Sequence, residues 1–379
     1  MLTAEGCADR RFRFWDALPD DCEWAVIADP RHVNYLSRFF VNPISFSTCE
    51  RALLFLERSG RAALIADNFT LRSAGCPALV DEEITEKWYD HRHSVLNRDH
   101  CLFRLLKQVA PRMAGRRGLV ESEWLPVGAV DELGLNDETR ALELGTILRQ
   151  LRRQKEPDEV ALLELCMQAC EAGHAKALEV VRPGLTELDV YREVQSAAVA
   201  AAGRPVVVYG DFRTTNAAIP KRGGLPTQEQ LKAGDLLILD YSVMIDGYRS
   251  DFTNTIAVGD PSPKQRDIFQ LCESALLAGE ASLRAGVPAR DVYSAVSRVL
   301  EDAGHPPLVH HAGHGLGLGH PEAPVLVPES TDTLLAGDVV TLEPGLYVEG
   351  VGGVRLEHNL LVTETGSRRL SHHRLALQP

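Results

Sequence analysis

The chain has 379 residues, 45% hydrophobic and 25% charged, with 40 Lys and Arg against 53 Asp and Glu and a formal net charge of −13. That length fits about two domains, each with its own core, and the acid excess argues against a nucleic-acid partner because no basic footprint offsets phosphate repulsion. No apolar run approaches the ~20 residues needed to cross a bilayer, and Met1–Arg13 lacks the apolar centre of a signal peptide, so a cytoplasmic protein without a membrane partner is expected. Eight cysteines are scattered along the chain without a CxxC pair, which is neither a disulfide framework nor a zinc ribbon. Cys166 and Cys170, four apart in a helical stretch, read as free thiols.

In chain order, Trp24–Ala28, Ala52–Leu56 and Ala62–Ala66 read as strands, Leu102–Met113 as a helix and Gly118–Ser122 as a further strand. This is an α/β pattern over residues 1–150. The charged stretch from Leu148 to Glu159 marks a boundary, and a second domain, residues 151–379, begins with an amphipathic helix through Leu162, Leu163, Cys166, Ala169 and Cys170.

An internal repeat organises the second domain. Arg182–Tyr191 (RPGLTELDVY) matches Arg284–Tyr293 (RAGVPARDVY) at an offset of 102. Leu231–Asp240 (LKAGDLLILD) matches Leu334–Glu343 (LLAGDVVTLE) at 103, and Gly247–Asp251 (GYRSD) matches Gly353–Glu357 (GVRLE) at 106. Two helix-helix-hairpin units therefore follow one another, an α+β arrangement expected to pack about a pseudo-twofold axis.

Each unit delivers acids at two equivalent places, Asp240 and Asp251 in the first and Glu343 and Glu357 in the second. Asp240 ends the apolar run Leu236–Leu239, where a carboxylate is costly unless something compensates its desolvation. Asp246-Gly247 reads as a hairpin turn, which makes Asp240 and Asp251 cross-strand or diagonal neighbours; Glu343 and Glu357 flank Glu349–Gly352 in the same way. Four converging acids cannot all stay ionised without cations. Two divalent ions about 3.5–4 Å apart would fit four acids and one imidazole, and the imidazole candidates cluster at His310-His-Ala-Gly-His314 and His320 within a Gly-rich loop. The oxygen-rich set favours Mn²⁺, Mg²⁺ or Fe²⁺, with Co²⁺ or Zn²⁺ as alternatives.

At these residues the sequence resembles the pita-bread metallopeptidases of the prolidase, Xaa-Pro aminopeptidase and creatinase family. The matching motifs are Leu239-Asp240 with Gly247–Asp251, His310–Gly317, Leu342–Tyr347 and Val354–Glu357, while Val33–Ser37 (VNYLS) resembles part of the family's creatinase-type N-terminal domain. The resemblance implies a creatinase-like domain at 1–150 and a pita-bread catalytic domain at 151–379. It implies five metal ligands: Asp240 on one ion, Asp251 and Glu357 bridging, His314 and Glu343 on the other, with two ions, Mn²⁺ first among them. It further implies Glu343 as general base toward a metal-bridging hydroxide, and His310 as hydrogen-bond donor to the substrate carbonyl or oxyanion. A homodimer is implied as well, in which Trp88–His93 is a candidate cap on a neighbour's cleft.

The chain departs from the peptidase pattern in two places. Where a histidine follows a proline before the first metal Asp, Pro220 is followed by Lys221. After the Gly-rich loop, an ungapped match puts Pro321 at a histidine position with His320 one place early, whereas a one-residue deletion would restore His320 and displace Glu322 and Pro324. Lys221 and His320 are therefore candidate stand-ins, and replacement by Ala is expected to be severe at His310, intermediate at Lys221 and mild at His320. Three functions stay open: a dinuclear-metal hydrolase of Xaa-Pro bonds, acting as aminopeptidase or dipeptidase; the same fold and metals acting on a small non-peptide amide or zwitterion; and a non-catalytic binding protein, against which the retained ligands argue.

Overall fold

The computed structural model describes residues 1–41, 50–73, 75–92 and 97–378, so Cys49 and His93, the end of the candidate cap, lie outside the described residues. The chain divides into two units, Met1–Arg152 and Arg153–Pro379.

The first unit runs α1 (Ala4–Asp16), β1 (Trp24–Ile27), α2 (Pro30–Ser37), β2 (Ala52–Glu57), β3 (Ala62–Asp67), α3 (Asn68–Ser73), β4 (Glu82–Glu86), α4 (Arg98–Met113), β5 (Gly118–Val120), α5 (Val127–Leu133) and α6 (Leu144–Leu151). Its sheet has the order β4-β3-β2-β1-β5, with β1, β2 and β3 antiparallel and the outer strands β4 and β5 parallel to their neighbours. Every residue of β1, β2 and β3 is buried, which is why these strands read as continuous apolar runs rather than alternating ones. Helix α4 covers the sheet with Leu102, Leu105, Leu106 and Val109. It starts at Arg98 rather than Leu102 because Asn97 caps it, its side chain accepting from Asp99 N at 2.9 Å. The expected strand at Gly118–Ser122 stops at Val120, since the chain then turns with Leu125 N donating to Glu121 O at 3.2 Å.

The charged boundary stretch is not a solvated linker. Helix α6 enters it and the next helix begins at Pro157. The Arg152 guanidinium meets His32 within the first unit. Arg153 forms a two-armed pair with Asp338 in the second, at 3.0 and 2.7 Å, with both groups buried.

The second unit runs α7 (Pro157–Val180), α8 (Glu187–Ala202), β6 (Val207–Thr215), β7 (Leu236–Ile245), β8 (Tyr248–Arg249), β9 (Phe252–Ala257), α9 (Pro263–Ser282), α10 (Ala289–Asp302), β10 (Gly313–Gly315), β11 (Glu322–Leu326), β12 (Val339–Leu342), β13 (Gly345–Val348), β14 (Gly352–Arg355), β15 (His358–Val362) and β16 (Ser367–Arg369). A helix pair thus precedes antiparallel strands twice. The starts of α7, α8 and α9 carry capping boxes, at Glu156/Glu159, Thr186/Asp189 and Ser262/Gln265.

Strand β7 pairs with β6 on one side and with β8 and β9 on the other; a second sheet has the order β11-β10-β12-β15-β16; β13 and β14 form a two-stranded ribbon. The register matters for the acids. Met244 faces Arg249 and Asp240 faces Thr253, so Asp251 lies diagonal to Asp240 on the same face. In the second half, Leu342 faces His358 and Gly345 faces Arg355. One continuous register runs through the bend between the two pairings, and Glu343 and Glu357 stand opposite each other at that bend. Their backbone N–H groups are then free to pair elsewhere: Glu343 N donates to Ala312 O at 2.9 Å and Glu357 N to Thr253 O at 3.0 Å. The second of these bonds joins the sheet that carries Asp240 to the bend that carries Glu357.

Candidate metal centre

Asp240, Asp251, His314, Glu343 and Glu357 converge in the second unit. Ligand atoms of Asp240, Glu343 and Glu357 lie within 4.8 Å of one another, and so do those of Asp251, His314 and His320 and those of His311, His314 and Glu343. The three sets share members, so they form one continuous donor cluster. All but Glu357 line a cleft of about 330 Å³, together with Tyr209, Asp211, Arg249, His311 and Arg355 among others.

The backbone explains the convergence. His314 sits on β10, squeezed between β11 and β12. A Cβ at Gly313 would lie 2.0 Å from Thr341 O, and one at Gly315 would lie 2.1 Å from Ala323 O. The glycines flanking His314 are therefore required for close strand packing. The imidazole is fixed by its partner, since Nδ1 lies 2.9 Å from Gly315 O. A carbonyl only accepts, so Nδ1 carries the hydrogen and Nε2 keeps its lone pair. That Nε2 points at Asp251 Oδ2, 3.5 Å away, and at Glu343 Oε1, 3.6 Å away.

The carboxylates feel one another. Burial, reinforced by the charges of Asp251, Asp240 and Glu343, pushes Glu357 well above the usual range. Burial raises Asp240 to about 7, against the pull of Arg355. Burial also acts to raise Glu343, but the His311 hydrogen bond and the charges of His311, His314 and Arg355 outweigh it and bring it down to about 2. Glu357 accepts from Thr253 Oγ1 at 2.6 Å through Oε2, while its buried Oε1 has no hydrogen-bond partner. A buried carboxylate oxygen without a donor, beside three more acids and a lone-pair imidazole, fits a divalent cation.

The other sequence candidates fall differently. His310 does not line the cleft. Its Nδ1 donates to His311 O at 2.8 Å, and its Nε2 accepts from the Tyr347 hydroxyl at 3.2 Å. Burial lowers it to about 4, so it is neutral. Through Tyr347 it is connected to the cleft, because Arg355 donates to Tyr347 Oη at 3.1 Å and also reaches Asp240. The neighbouring His311 is the ring that enters the cleft, with Nε2 2.8 Å from Glu343 Oε1. Its pKa is raised by that hydrogen bond, against burial.

Lys221 is exposed, outside the cleft lining, with Nζ 5.2 Å from the Tyr347 ring centroid. His320 lies in the donor cluster itself, Nε2 2.6 Å from Asp251 Oδ2, rather than behind it. Its loop is braced, with Gly319 N donating to Glu322 Oε1 and Arg249 N to Gly317 O.

Sequence reasoning left His311, Asp211, Arg249, Tyr347 and Arg355 unassigned. A signal existed for the arginines, because Arg249 and Arg355 occupy matching positions of the repeat, each two residues before a cluster acid. Arg355 donates to Asp211 Oδ2 at 2.9 Å. No spacing rule would have linked it to Asp211, 144 residues away.

A mixed α/β fold with a cleft of buried acids and a lone-pair imidazole defines a metal-dependent hydrolase. The chain belongs to metallopeptidase family M24, whose model matches residues 161–364. It is 27% identical over 275 residues to a Xaa-Pro dipeptidase of Pyrococcus horikoshii, covering 71% of this chain and 77% of that relative. It is 30% identical over 230 residues to the uncharacterized peptidase YqhT of Bacillus subtilis, covering 59% and 64%. Among solved structures, dipeptidase PepE from Mycobacterium ulcerans superposes with a TM-score of 0.74 at 26% identity, over 100% of this chain and 98% of that one. The X-Pro aminopeptidase of Thermotoga maritima superposes with a TM-score of 0.78 at 17% identity, over 98% and 99%, a likeness of fold.

Proposed function

We propose that this protein hydrolyses Xaa-Pro peptide bonds with two divalent metal ions held by Asp240, Asp251, His314, Glu343 and Glu357. The observation that carries the proposal is the single donor cluster in which Glu357 Oε1 is buried without a hydrogen-bond donor. Bound metal would supply Lewis acidity and a water acidified toward neutral pH. Manganese is the first candidate because oxygen donors outnumber nitrogen.

The chain's own residues do the rest. Gly315 O holds His314 in its ligating tautomer. Glu343, held low by its surroundings, is ionised at neutral pH and able to take a proton. His311, hydrogen-bonded to Glu343 and facing the cleft, is the imidazole placed to donate toward a substrate oxygen. His310 acts behind Tyr347 and Arg355 as a positioning residue. Residues 1–150 read as a creatinase-like domain and 151–379 as a pita-bread catalytic domain with pseudo-twofold repeats. The chain is proposed to be a homodimer, and sedimentation showing only monomer at micromolar concentration would overturn that part.

A second reading keeps the fold and metals but places a small non-peptide amide in the cleft. It is favoured by Pro321 at a histidine position of the peptidase pattern and by Lys221 lying outside the cleft. Purified protein loaded with manganese separates the readings: Gly-Pro, a longer Xaa-Pro peptide and a panel of cyclic and guanidino amides are assayed before and after exhaustive chelation. Chelator-sensitive release of proline or of an N-terminal residue supports the first reading. Turnover confined to the non-peptide panel supports the second, and activity indifferent to chelation overturns both.

A further inference from the structure

We propose that Asn359 is a positioning residue for the metal centre: it clamps the backbone of Asp251 from the other half of the second unit and keeps that acid where two ions can share it. This rests on the dinuclear-metal reading above and deepens it.

Asp251 lies between β8 and β9, where the pairing with β7 is interrupted: Met244 faces Arg249 and Tyr241 faces Phe252. Among the described residues no strand takes its backbone N–H and C=O. The Asn359 side chain takes both. Asp251 N donates to Asn359 Oδ1 at 3.1 Å, and Asn359 Nδ2 donates to Asp251 O. A peptide N–H only donates and a carbonyl only accepts, so these partners fix which way the amide faces. Asn359 is fully buried in β15 and is itself held, its N–H donating to Ser371 Oγ at 2.9 Å and its C=O accepting from Leu370 N at 2.8 Å.

The repeat makes this clamp one side of a reciprocal arrangement. Thr253 follows Asp251 by two residues as Asn359 follows Glu357, so the two stand at matching positions. Thr253 Oγ1 reaches Glu357 Oε2 at 2.6 Å. Each half therefore holds the implied bridging acid of the other. The devices differ with side-chain length. An aspartate has two side-chain torsions, so its carboxylate follows the backbone closely and a backbone clamp places it. A glutamate has three, and its carboxylate has to be held directly. Neither Asn359 nor Thr253 lines the cleft, so both act through the acids they hold.

A second clamp of the same form supplies the control. Asn254, fully buried in β9, donates through Nδ2 to Ala376 O at 2.9 Å and accepts from Ala376 N at 3.2 Å. It holds an alanine rather than an acid of the cluster.

The test titrates manganese alone into full-length wild type, Asn359→Leu, Thr253→Val, Thr253→Ser and Asn254→Leu by calorimetry. Electron paramagnetic resonance of the loaded proteins reads whether the two ions are coupled, and thermal melts in chelator read stability. Wild type is expected to bind two ions with the spin-coupled signal of a manganese pair. Asn359→Leu and Thr253→Val should each bind the weaker ion about 10- to 100-fold less tightly and lose most of the coupled signal. Thr253→Ser and Asn254→Leu should stay within about 3-fold of wild type, although Asn254→Leu melts earlier. If Asn359→Leu does not fold, Asn359→Ala, which leaves room for water at both backbone groups, decides by the same titration. Two ions held at wild-type affinity with a full coupled signal in the Asn359 variant overturn the inference. So does an equal loss of metal in Asn254→Leu, which would mean that any loosening of the fold weakens the site. Wild type that binds fewer than two ions overturns the dinuclear reading itself, and the inference falls with it.

Discussion

The two hairpins of the second unit offer the same sequence device and use it differently. In each, an arginine stands two residues before a cluster acid, Arg249 before Asp251 and Arg355 before Glu357. Arg355 ends β14 and meets Asp211 of β6, Asp240 of β7 and the Tyr347 hydroxyl. Arg249 sits in the two-residue β8 against the Gly-rich loop, where Gly317 takes its backbone N–H and, among the described residues, no carboxylate pairs with its side chain. Equal spacing fixes how far an arginine stands from its acid, but the strand lying opposite decides whether its guanidinium finds carboxylate partners.

The strongest test of what the hairpins share is removal of an acid from each. Asp251→Ala and Glu357→Ala should each lose about 10³-fold or more in activity, since each removes a proposed metal ligand. Metal content should fall in both while circular dichroism stays native. An Asp251→Ala protein that keeps full activity and metal would break the proposed equivalence of the two halves.

The arginines should then separate. Arg355→Ala leaves Asp240 and Asp211 without their cation in a buried site and is expected to cost about 3 kcal/mol or more of stability in chelator. Arg249→Ala removes no ion pair and should unfold within about 0.5 kcal/mol of wild type. Denaturant melts of the two proteins side by side read the difference directly, and equal destabilisation would remove the distinction.

Replacement of His320 by Ala should lower metal affinity or activity by about 10- to 100-fold, because the ring lies against Asp251 inside the donor cluster. Metal titration of the variant measures it. This raises His320 above the mild role that its displaced position in the motif implied.

The acids also set a pH dependence. Asp240 is raised to about 7 and Glu357 well above the usual carboxylate range, so without metal both hold protons at pH values where free carboxylates would not. Metal must displace those protons. Affinity should therefore climb with rising pH and weaken as pH falls through about 7, where Asp240 takes up its proton, by about tenfold per unit for each proton released. Titrations at pH 5, 6, 7 and 8 would show the slope, and a flat profile would contradict the shared burial of the two acids.

The smallest effect is expected at Lys221. Its exposed cation–π contact with Tyr347 predicts a loss of about 3-fold or less in Lys221→Ala. A larger loss, measured on the same Xaa-Pro substrates, would return Lys221 to the cleft.

Local pattern carried far in this chain. The strands Trp24–Ile27, Ala52–Glu57 and Ala62–Asp67 were legible because they are buried on both faces and so read as unbroken apolar runs. The four acids were legible because a repeat copies spacing, and spacing within a hairpin fixes which side chains share a face. His314 was legible from the glycines around it, which the strands flanking β10 require.

His310 and His311 show where that reading stops. They are adjacent, precede β10 and lie in no regular element, so no periodicity says which ring turns toward the acids. That is decided by Tyr347, whose hydroxyl holds His310, and by Glu343, whose carboxylate holds His311. The same holds for Arg355 and Asp211 and for His320 and Asp251, pairs joined only when separate strands and loops are packed together. By itself the sequence determined the elements, the acid quartet and His314, because spacing along one chain constrains neighbours within a hairpin. The tertiary structure alone decided which histidine faces the cleft and which arginine is left unpaired, because side-chain partners across distant strands depend on packing that no local period encodes.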